Sequence, residues 1–185
     1  MSTLTRRHFV ITGASLPFVA ACGNGINSDG SQRIDARVNA AQEFMFREVP
    51  GTQDLARDSR GMLIMPLITE AGFGFGGSYG RGALRINGAT VDYYSAVSGT
   101  FGLQIGAQQY AHTLFFMTDE ALQSFRTSPG WAVGADMRYA AIDQGGNLGV
   151  DTTTLSDPVI AVIYGQAGLI IGATLDGTRY TRILP

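Results

Sequence analysis

The side chains that could support catalysis in this chain are few and far apart. Histidine occurs only at His8 and His112, cysteine occurs only at Cys22, and all 13 basic residues are arginine. Without a lysine, the chain has no primary amine for a P-loop, a Schiff base or a Ser-Lys pair. No G-x-S-x-G segment supplies a hydrolase nucleophile either. These absences exclude several reaction classes.

Carboxylates are the remaining catalytic candidates. Asp119 is followed by Glu120, and Asp151 lies six residues before Asp157. Adjacent residues on a helix do not face each other, and the first pair suits the start of a helix, where the dipole favours negative charge. His112 fits a strand residue better than a general base, and so few His and Cys residues cannot build a zinc site from nitrogen and sulfur ligands. We therefore expect no enzyme activity, no metal and no cofactor.

Residues 1–21 have the pattern of a bacterial export signal. Arg6 and Arg7 precede a mostly apolar run of 13 residues, Phe9 to Ala21. That run is too short to cross a bilayer as a helix, which takes about 20 residues. The twin arginines resemble a twin-arginine signal, and the sequence leaves this route and the general secretory route open.

The four residues VAAC, 19–22, resemble the bacterial lipobox. In that motif the signal peptidase would cut between Ala21 and Cys22, and Cys22 would become lipidated. More than one acyl chain gives a firm anchor. Gly23 in place of aspartate favours the outer membrane, so we expect a lipid-anchored envelope protein facing the periplasm or the surface. Residues 22–31 are rich in Gly, Ser, Asn and Asp, which predicts a flexible tether.

Residues 32–185 are predicted to form one domain. A chain of about this size can bury roughly 70% of its unfolded surface in a core. Without residues 1–21 the formal net charge is −4, because 11 arginines face 15 acidic residues. Nucleic acid is therefore not an expected partner.

The first element of this domain is predicted as an amphipathic helix that is capped by Ser31 and runs to about Glu48. Its apolar stripe consists of Ile34, Val38, Ala41, Met45 and Val49. A basic flank is formed by Arg33, Arg37 and Arg47 together with Phe44. That flank suits either contact with anionic lipid head groups or the solvated side of a core helix, and the pattern leaves both open.

Glycine-punctuated strands follow the helix. Asn87-Gly88 between two apolar runs predicts a two-residue hairpin with a type I′ turn. Counting outward from this turn places Leu84 opposite Val91. The G-x-G-x-x-G segment at 72–77 is not expected to bind a dinucleotide, because a strand rather than a helix follows it. The glycines instead mark where a long hairpin has to bend.

These elements, with a helix capped by Thr118 and several later strands, predict an α+β class dominated by β-structure. We expect a strongly curved antiparallel sheet or partial barrel of about seven strands. One helix precedes the sheet and one lies in the middle of the chain.

Four ordered sequence blocks resemble the SYLF domain family, which occurs in exported bacterial proteins and in eukaryotic lipid-binding and actin-regulating proteins. They are GMLIMP with AGFGFGG at 61–66 and 71–77, YYS to FGLQIGAQ at 93–108, FMTDEAL at 116–122, and DTTT to GATLDGT at 151–178. The resemblance implies lipid binding, with phosphoinositide as the ligand in eukaryotic members. It also implies that basic, amphipathic surface near the first helix takes part.

The sequence favours one function and leaves a second one open. The first is an exported lipoprotein whose SYLF-like domain binds membrane lipid, with anionic phospholipid as the expected partner of Arg33, Arg37, Phe44 and Arg47. The second is an envelope scaffold or surface antigen that binds protein, with lipid contacted only by the anchor. The sequence does not identify a protein partner.

Overall fold

A computed structural model describes residues 29–133, 140–142, 157–165, 168–169, 175 and 177–185. The predicted export signal, Cys22 and most of the predicted tether lie outside these residues. Three α-helices lie in the described part of the chain. They are α1 (Gly30–Glu48), α2 (Thr52–Asp58) and α3 (Asp119–Thr127).

The start of α3 was predicted correctly, whereas the start of α1 was not. The Thr118 hydroxyl accepts a hydrogen bond from the Ala121 N–H at 3.2 Å, which confirms the predicted cap. Ser31 lies inside α1, so its predicted capping role is wrong. The helix extends further because the Asp29 carbonyl accepts a hydrogen bond from the Arg33 N–H at 3.0 Å. Gly30 and Ser31, the last two residues of the predicted tether, therefore belong to the helix.

All strands in the described residues belong to one sheet. They are β1 (Gly61–Ile86), β2 (Ala89–Phe116), β3 (Trp131–Ala132), β4 (Ala140–Ile142), β5 (Val159–Gly165), β6 (Gly168–Leu169) and β7 (Arg179–Ile183). The strand order is β3-β7-β2-β5-β4, with β1 paired to β2 and β6 to β5. All pairs are antiparallel except β4 with β5. The sheet is a curled half-barrel, which confirms the predicted fold class.

The turn between β1 and β2 is the predicted one, but the register beyond it differs. Asn87 and Gly88 have φ angles of 51° and 79°, and Ile86 pairs with Ala89. A register shift after Arg85 then places Leu84 opposite Asp92 instead of Val91. A shift of one residue exchanges the two faces of a strand. Here the shift turns Tyr94 into the core, where the buried ring packs against Phe125 with 4.6 Å between centroids and 39° between the ring planes.

The two halves of β1 pack closely against each other where glycine leaves room. A Cβ on Gly80 would lie 2.5 Å from the carbonyl oxygen of Leu67. A Cβ on Gly82 would overlap the carbonyl oxygen of Ile64 and would lie 2.6 Å from Met65 Sδ. Both glycines are buried. The curled shape of the hairpin therefore requires residues without a side chain at these two positions.

Two hydrophobic clusters form the core, and β5 separates them. The inner cluster contains the alternate residues Val159, Ala161 and Ile163. The outer cluster contains Ile160, Val162 and Tyr164. Successive residues of a strand point to opposite faces, so β5 is buried on both sides. Helix α3 packs on the inner cluster, whereas α1 and α2 pack on the outer one.

The predicted apolar stripe of α1 is the surface that joins the outer cluster. Its four large residues are buried, namely Ile34, Val38, Met45 and Val49. Ala41 is partly buried and packs against the same cluster. Burial of each large aliphatic side chain stabilises the fold by about 1.5–3 kcal/mol. The stripe therefore fixes which side of α1 remains at the surface.

His112 is a packed residue of β2, as the sequence suggested. It is fully buried, and its Nε2 lies 2.7 Å from the Tyr180 hydroxyl oxygen. Its Nδ1 has no hydrogen-bond partner among the described residues. Burial lowers the pKa of His112 to about 3. The imidazole is therefore neutral near pH 7.

We expect Gly82→Ala to destabilise the domain by about 3 kcal/mol or more, because the new Cβ overlaps backbone that cannot move independently. Gly99→Ala is a matched control, since Gly99 also lies in the hairpin and a Cβ there meets nothing within 4 Å. Urea unfolding of residues 23–185, which contain the complete described fold, measures both variants. Similar midpoints for the two variants would show that the close approach does not constrain the sheet.

We also expect an acid-dependent loss of stability that depends on His112. Its pKa falls from 6.5 to about 3 on folding, so between these values only the unfolded chain binds the proton. The contribution of neutral His112 to the free energy of unfolding is therefore complete above pH 6.5. It is lost as the pH falls toward 3, at up to about 1.4 kcal/mol per pH unit. Urea unfolding at pH 7, 5 and 4 should give a shallower slope for His112→Phe than for the wild type. Parallel slopes would contradict this assignment, because the two proteins share every carboxylate.

Candidate functional site

A bulge in β1 is the centre of the candidate site. Met65 pairs with His112 and Ile68 pairs with Tyr110, so Pro66 and Leu67 together face a single residue of β2. Proline cannot donate a hydrogen bond to the ladder and is therefore suited to a bulge. Leu67 is 37% exposed although the residues on either side of the bulge are buried. The bulge thus leaves an apolar side chain at the surface.

A basic pocket lies on one side of the bulge, between the first half of α1 and β1. Its cavity is about 240 Å³. It is lined by Asp29, Gly30, Arg33, Ile34, Arg37, Pro66, Leu67, Thr69, Tyr79, Gly80 and Arg81. Three guanidinium groups and one carboxylate therefore belong to the same pocket.

An apolar groove lies on the other side of the bulge, along the second half of α1. It measures about 230 Å³ and shares Pro66 and Leu67 with the basic pocket. Its remaining lining residues are Ala41, Phe44, Gln109, Tyr110, Ala111, Tyr164 and Gly165. The rings of Phe44 and Tyr164 stack with 6.2 Å between centroids and 19° between planes. The two cavities thus adjoin each other beneath one helix.

The charges of the basic flank have different environments. Arg33 Nη2 forms an ion pair with Asp29 Oδ2 at 2.6 Å, with both side chains more than half exposed. Arg37 is exposed and has no ion-pair partner among the described residues. Arg47 lies beyond the groove, where its guanidinium is 5.6 Å from the centroid of Phe44 and pairs with Glu48 at 2.7 Å. The structure therefore brings Arg33 and Arg37 together, with Phe44 in the adjoining groove and Arg47 at its far end.

Hydrogen bonds to the β1–β2 hairpin fix α1 over the site. Asp35 accepts hydrogen bonds from the hydroxyls of Thr90 at 2.9 Å and Tyr93 at 2.8 Å. Desolvation and the bond to Asp35 raise the pKa of the Tyr93 hydroxyl, which keeps it protonated as a donor. Arg85 binds the next turns of the helix. It donates to the side-chain oxygens of Gln42, at 2.6 Å, and Asn39.

Several residues of the site were not identified from the sequence. Arg81 and Tyr79 are on β1 and reach the basic pocket only because the hairpin folds back, so no spacing along the chain links them to Arg33. The one local signal for the bulge was Pro66 inside an apolar strand. Tyr79 and Val97 are also cross-strand partners, and they are 53% and 50% exposed. They extend the pocket into an exposed apolar surface.

The carboxylates considered for catalysis do not form a site in the described residues. Asp119 and Glu120 are exposed at the start of α3, and Asp119 Oδ2 lies 3.6 Å from Arg60 Nε. Asp151, the predicted partner of Asp157, lies outside the described residues. Within the described residues, no group of three or more His, Cys, Asp or Glu side chains could hold a metal ion.

No described helix is long and apolar enough to cross a membrane.

Comparison with known proteins gives one family. Residues 97–182 match the family model described as Las17-binding protein actin regulator, Ysc84. No curated protein matches the chain. The match begins in β2, which lines the apolar groove, and it ends in β7. It is consistent with the resemblance to the SYLF domain family over this part of the chain.

Proposed function

We propose that the domain binds the anionic head groups of membrane phospholipids, in a chain that a lipidated Cys22 anchors to the bacterial envelope, with the outer membrane favoured. The observation that carries this proposal is the convergence of Arg33, Arg37 and Arg81 in one pocket beside an apolar groove. The role is binding rather than catalysis. The SYLF family is associated with lipid and protein binding, which agrees with a role of this kind.

The arginines suit phosphate for two physical reasons. A guanidinium group presents paired N–H donors that match two phosphate oxygens, and it is weakly hydrated. The pocket also joins donors from a helix and a strand, so two or three of them can contact one head group. Each arginine near an anionic membrane surface contributes about 1 kcal/mol of binding. The negative charge of the whole domain does not oppose this, because screening limits charge effects to about 8 Å at physiological salt.

The anchor would place this pocket near the bilayer. Asp29, which lines the pocket, lies seven positions after Cys22, and such a segment spans at most about 25 Å when extended. A tethered site has a high effective concentration of its ligand, so a modest intrinsic affinity is sufficient. Lipidation and head-group contact would then act as the two signals that stable membrane binding requires.

A protein-binding role is the second candidate. The family description refers to Las17 binding and actin regulation, and the exposed Tyr79–Val97 pair is an apolar surface of the kind that protein partners cover. In that case the envelope protein would act as a scaffold or surface antigen. Its lipid contact would be confined to Cys22, and substitution of Arg33 and Arg37 by alanine would not change lipid binding by the isolated domain.

We expect residues 23–185 to float with anionic vesicles at low salt and to bind less at high salt. Arg33→Ala with Arg37→Ala should weaken this binding about thirtyfold, which corresponds to about 2 kcal/mol. Arg57→Ala with Arg60→Ala is a matched control, because it removes the same charge from exposed positions away from the pocket. Equal losses in both double variants would contradict a local site, and equal recovery with neutral vesicles would contradict the electrostatic mechanism.

We further expect Asp29→Asn to strengthen binding to anionic vesicles several-fold. Among the residues that the structure describes, Asp29 is the one carboxylate that lines the pocket, and it competes with an incoming phosphate for Arg33. Flotation of this variant is compared with that of Asp58→Asn, which removes an exposed carboxylate from α2. Unchanged or weaker binding by Asp29→Asn would show that Arg33 does not contact the head group.

A further inference from the structure

We infer that the basic pocket and the apolar groove together form one site for a single amphiphile, with its phosphate bound by the arginines and one alkyl chain lying in the groove. This inference rests on the proposed function and specifies its ligand. It differs from contact with a flat bilayer surface, because one molecule would occupy both cavities.

The geometry supports a continuous site. Pro66 and Leu67 line both cavities, so the basic and apolar parts meet at the bulge without an intervening element. The helix residues that line them recur at spacings of three and four from Gly30 to Phe44, which defines one face of α1. Arg33 and Phe44 are about 16 Å apart along the helix axis at 1.5 Å per residue. A head group and the first part of a chain fit along such a path.

The groove has the chemistry of an alkyl-chain site. Its walls are mainly apolar, and its buried hydroxyl is already satisfied, because Tyr164 Oη lies 3.3 Å from Thr113 Oγ1. Phe44 and Tyr164 provide a stacked aromatic wall. Leu67 exposes apolar surface at the junction, where a chain leaving the pocket would cover it. A peptide would instead bring backbone polar groups into the groove, and these would need hydrogen-bond partners.

The charge distribution sets the orientation of the amphiphile. The cations that line the cavities are all at one end, in the basic pocket, and the apolar groove has no charged lining residue among those described. An anionic head group is therefore favoured in the pocket and disfavoured in the groove. Among head groups, phosphate with two free oxygens matches the paired N–H donors of Arg33 and Arg37.

Dodecyl phosphate below its critical micelle concentration is the direct probe, because it supplies one phosphate and one chain without a bilayer. We expect isothermal titration of residues 23–185 to give one bound molecule per domain, at least tenfold tighter than inorganic phosphate. Leu67→Gln should weaken dodecyl phosphate binding about tenfold. Val91→Gln is the matched control, because Val91 is an equally exposed apolar residue of the hairpin that lines neither cavity.

A second variant tests the groove from the helix side. Ala41→Trp fills the cavity, and we expect it to weaken dodecyl phosphate about tenfold while anionic vesicle binding remains. If this variant does not fold, Leu67→Gln still tests the inference, because its side chain is partly exposed.

The outcomes separate the inference from the proposed function. If vesicles bind but dodecyl phosphate binds no tighter than inorganic phosphate, the single-amphiphile site is wrong and the head-group function stands. If dodecyl phosphate binds tightly at one per domain and vesicles do not bind, the membrane-surface function is wrong and the site stands. If neither binds, both are wrong. A stoichiometry well above one would indicate non-specific detergent binding and would also overturn the inference.

Discussion

The close packing of β1 against itself at Gly80 and Gly82 is the constraint on which the rest of the structure depends. Because these residues have no Cβ, the backbone around Ile64 and Leu67 can cross directly over them. This crossing curls the hairpin and encloses the inner cluster. It also brings Arg81 and Tyr79 beside the first half of α1, where they line the same pocket as Arg33 and Arg37. The basic pocket is therefore a consequence of the curvature of the sheet.

The bulge at Pro66 and Leu67 divides the space beneath α1 into two environments. On one side, guanidinium groups from a helix and a strand share a pocket, and on the other, aromatic and aliphatic side chains line a groove. The helix is held over both cavities by its apolar stripe and by the hydrogen bonds of Asp35 and Arg85. This arrangement matches the proposed amphiphile, which is itself divided into a charged and an apolar part.

The sequence predicted which helices and strands form better than it predicted the strand register and the start of the first helix. The helix periodicity identified every buried residue of the α1 stripe, and Asn87-Gly88 identified the turn, because both signals are local. The register beyond the turn was wrong by one residue, because a bulge near Leu84 is favoured by burial of Tyr94, which the local pattern does not report. Ser31 is a favourable cap by residue type, but Asp29 occupies that position, because its carbonyl accepts a hydrogen bond from the Arg33 N–H and the helix begins earlier.

By itself, the sequence determined which functional groups are available and on which elements they lie. These are arginine without lysine, one histidine in a strand, and a basic flank with one aromatic residue on the first helix. These follow from residue identity and from the helical repeat, both of which can be read along the chain. Only the tertiary structure decided that Arg33 and Arg37 share a pocket with Arg81, that Phe44 belongs to an adjoining groove, and that Arg47 lies at its far end. The physical reason is that Arg33 and Arg37 lie more than 40 residues before Arg81 and meet it only because glycine allows the hairpin to fold back on itself.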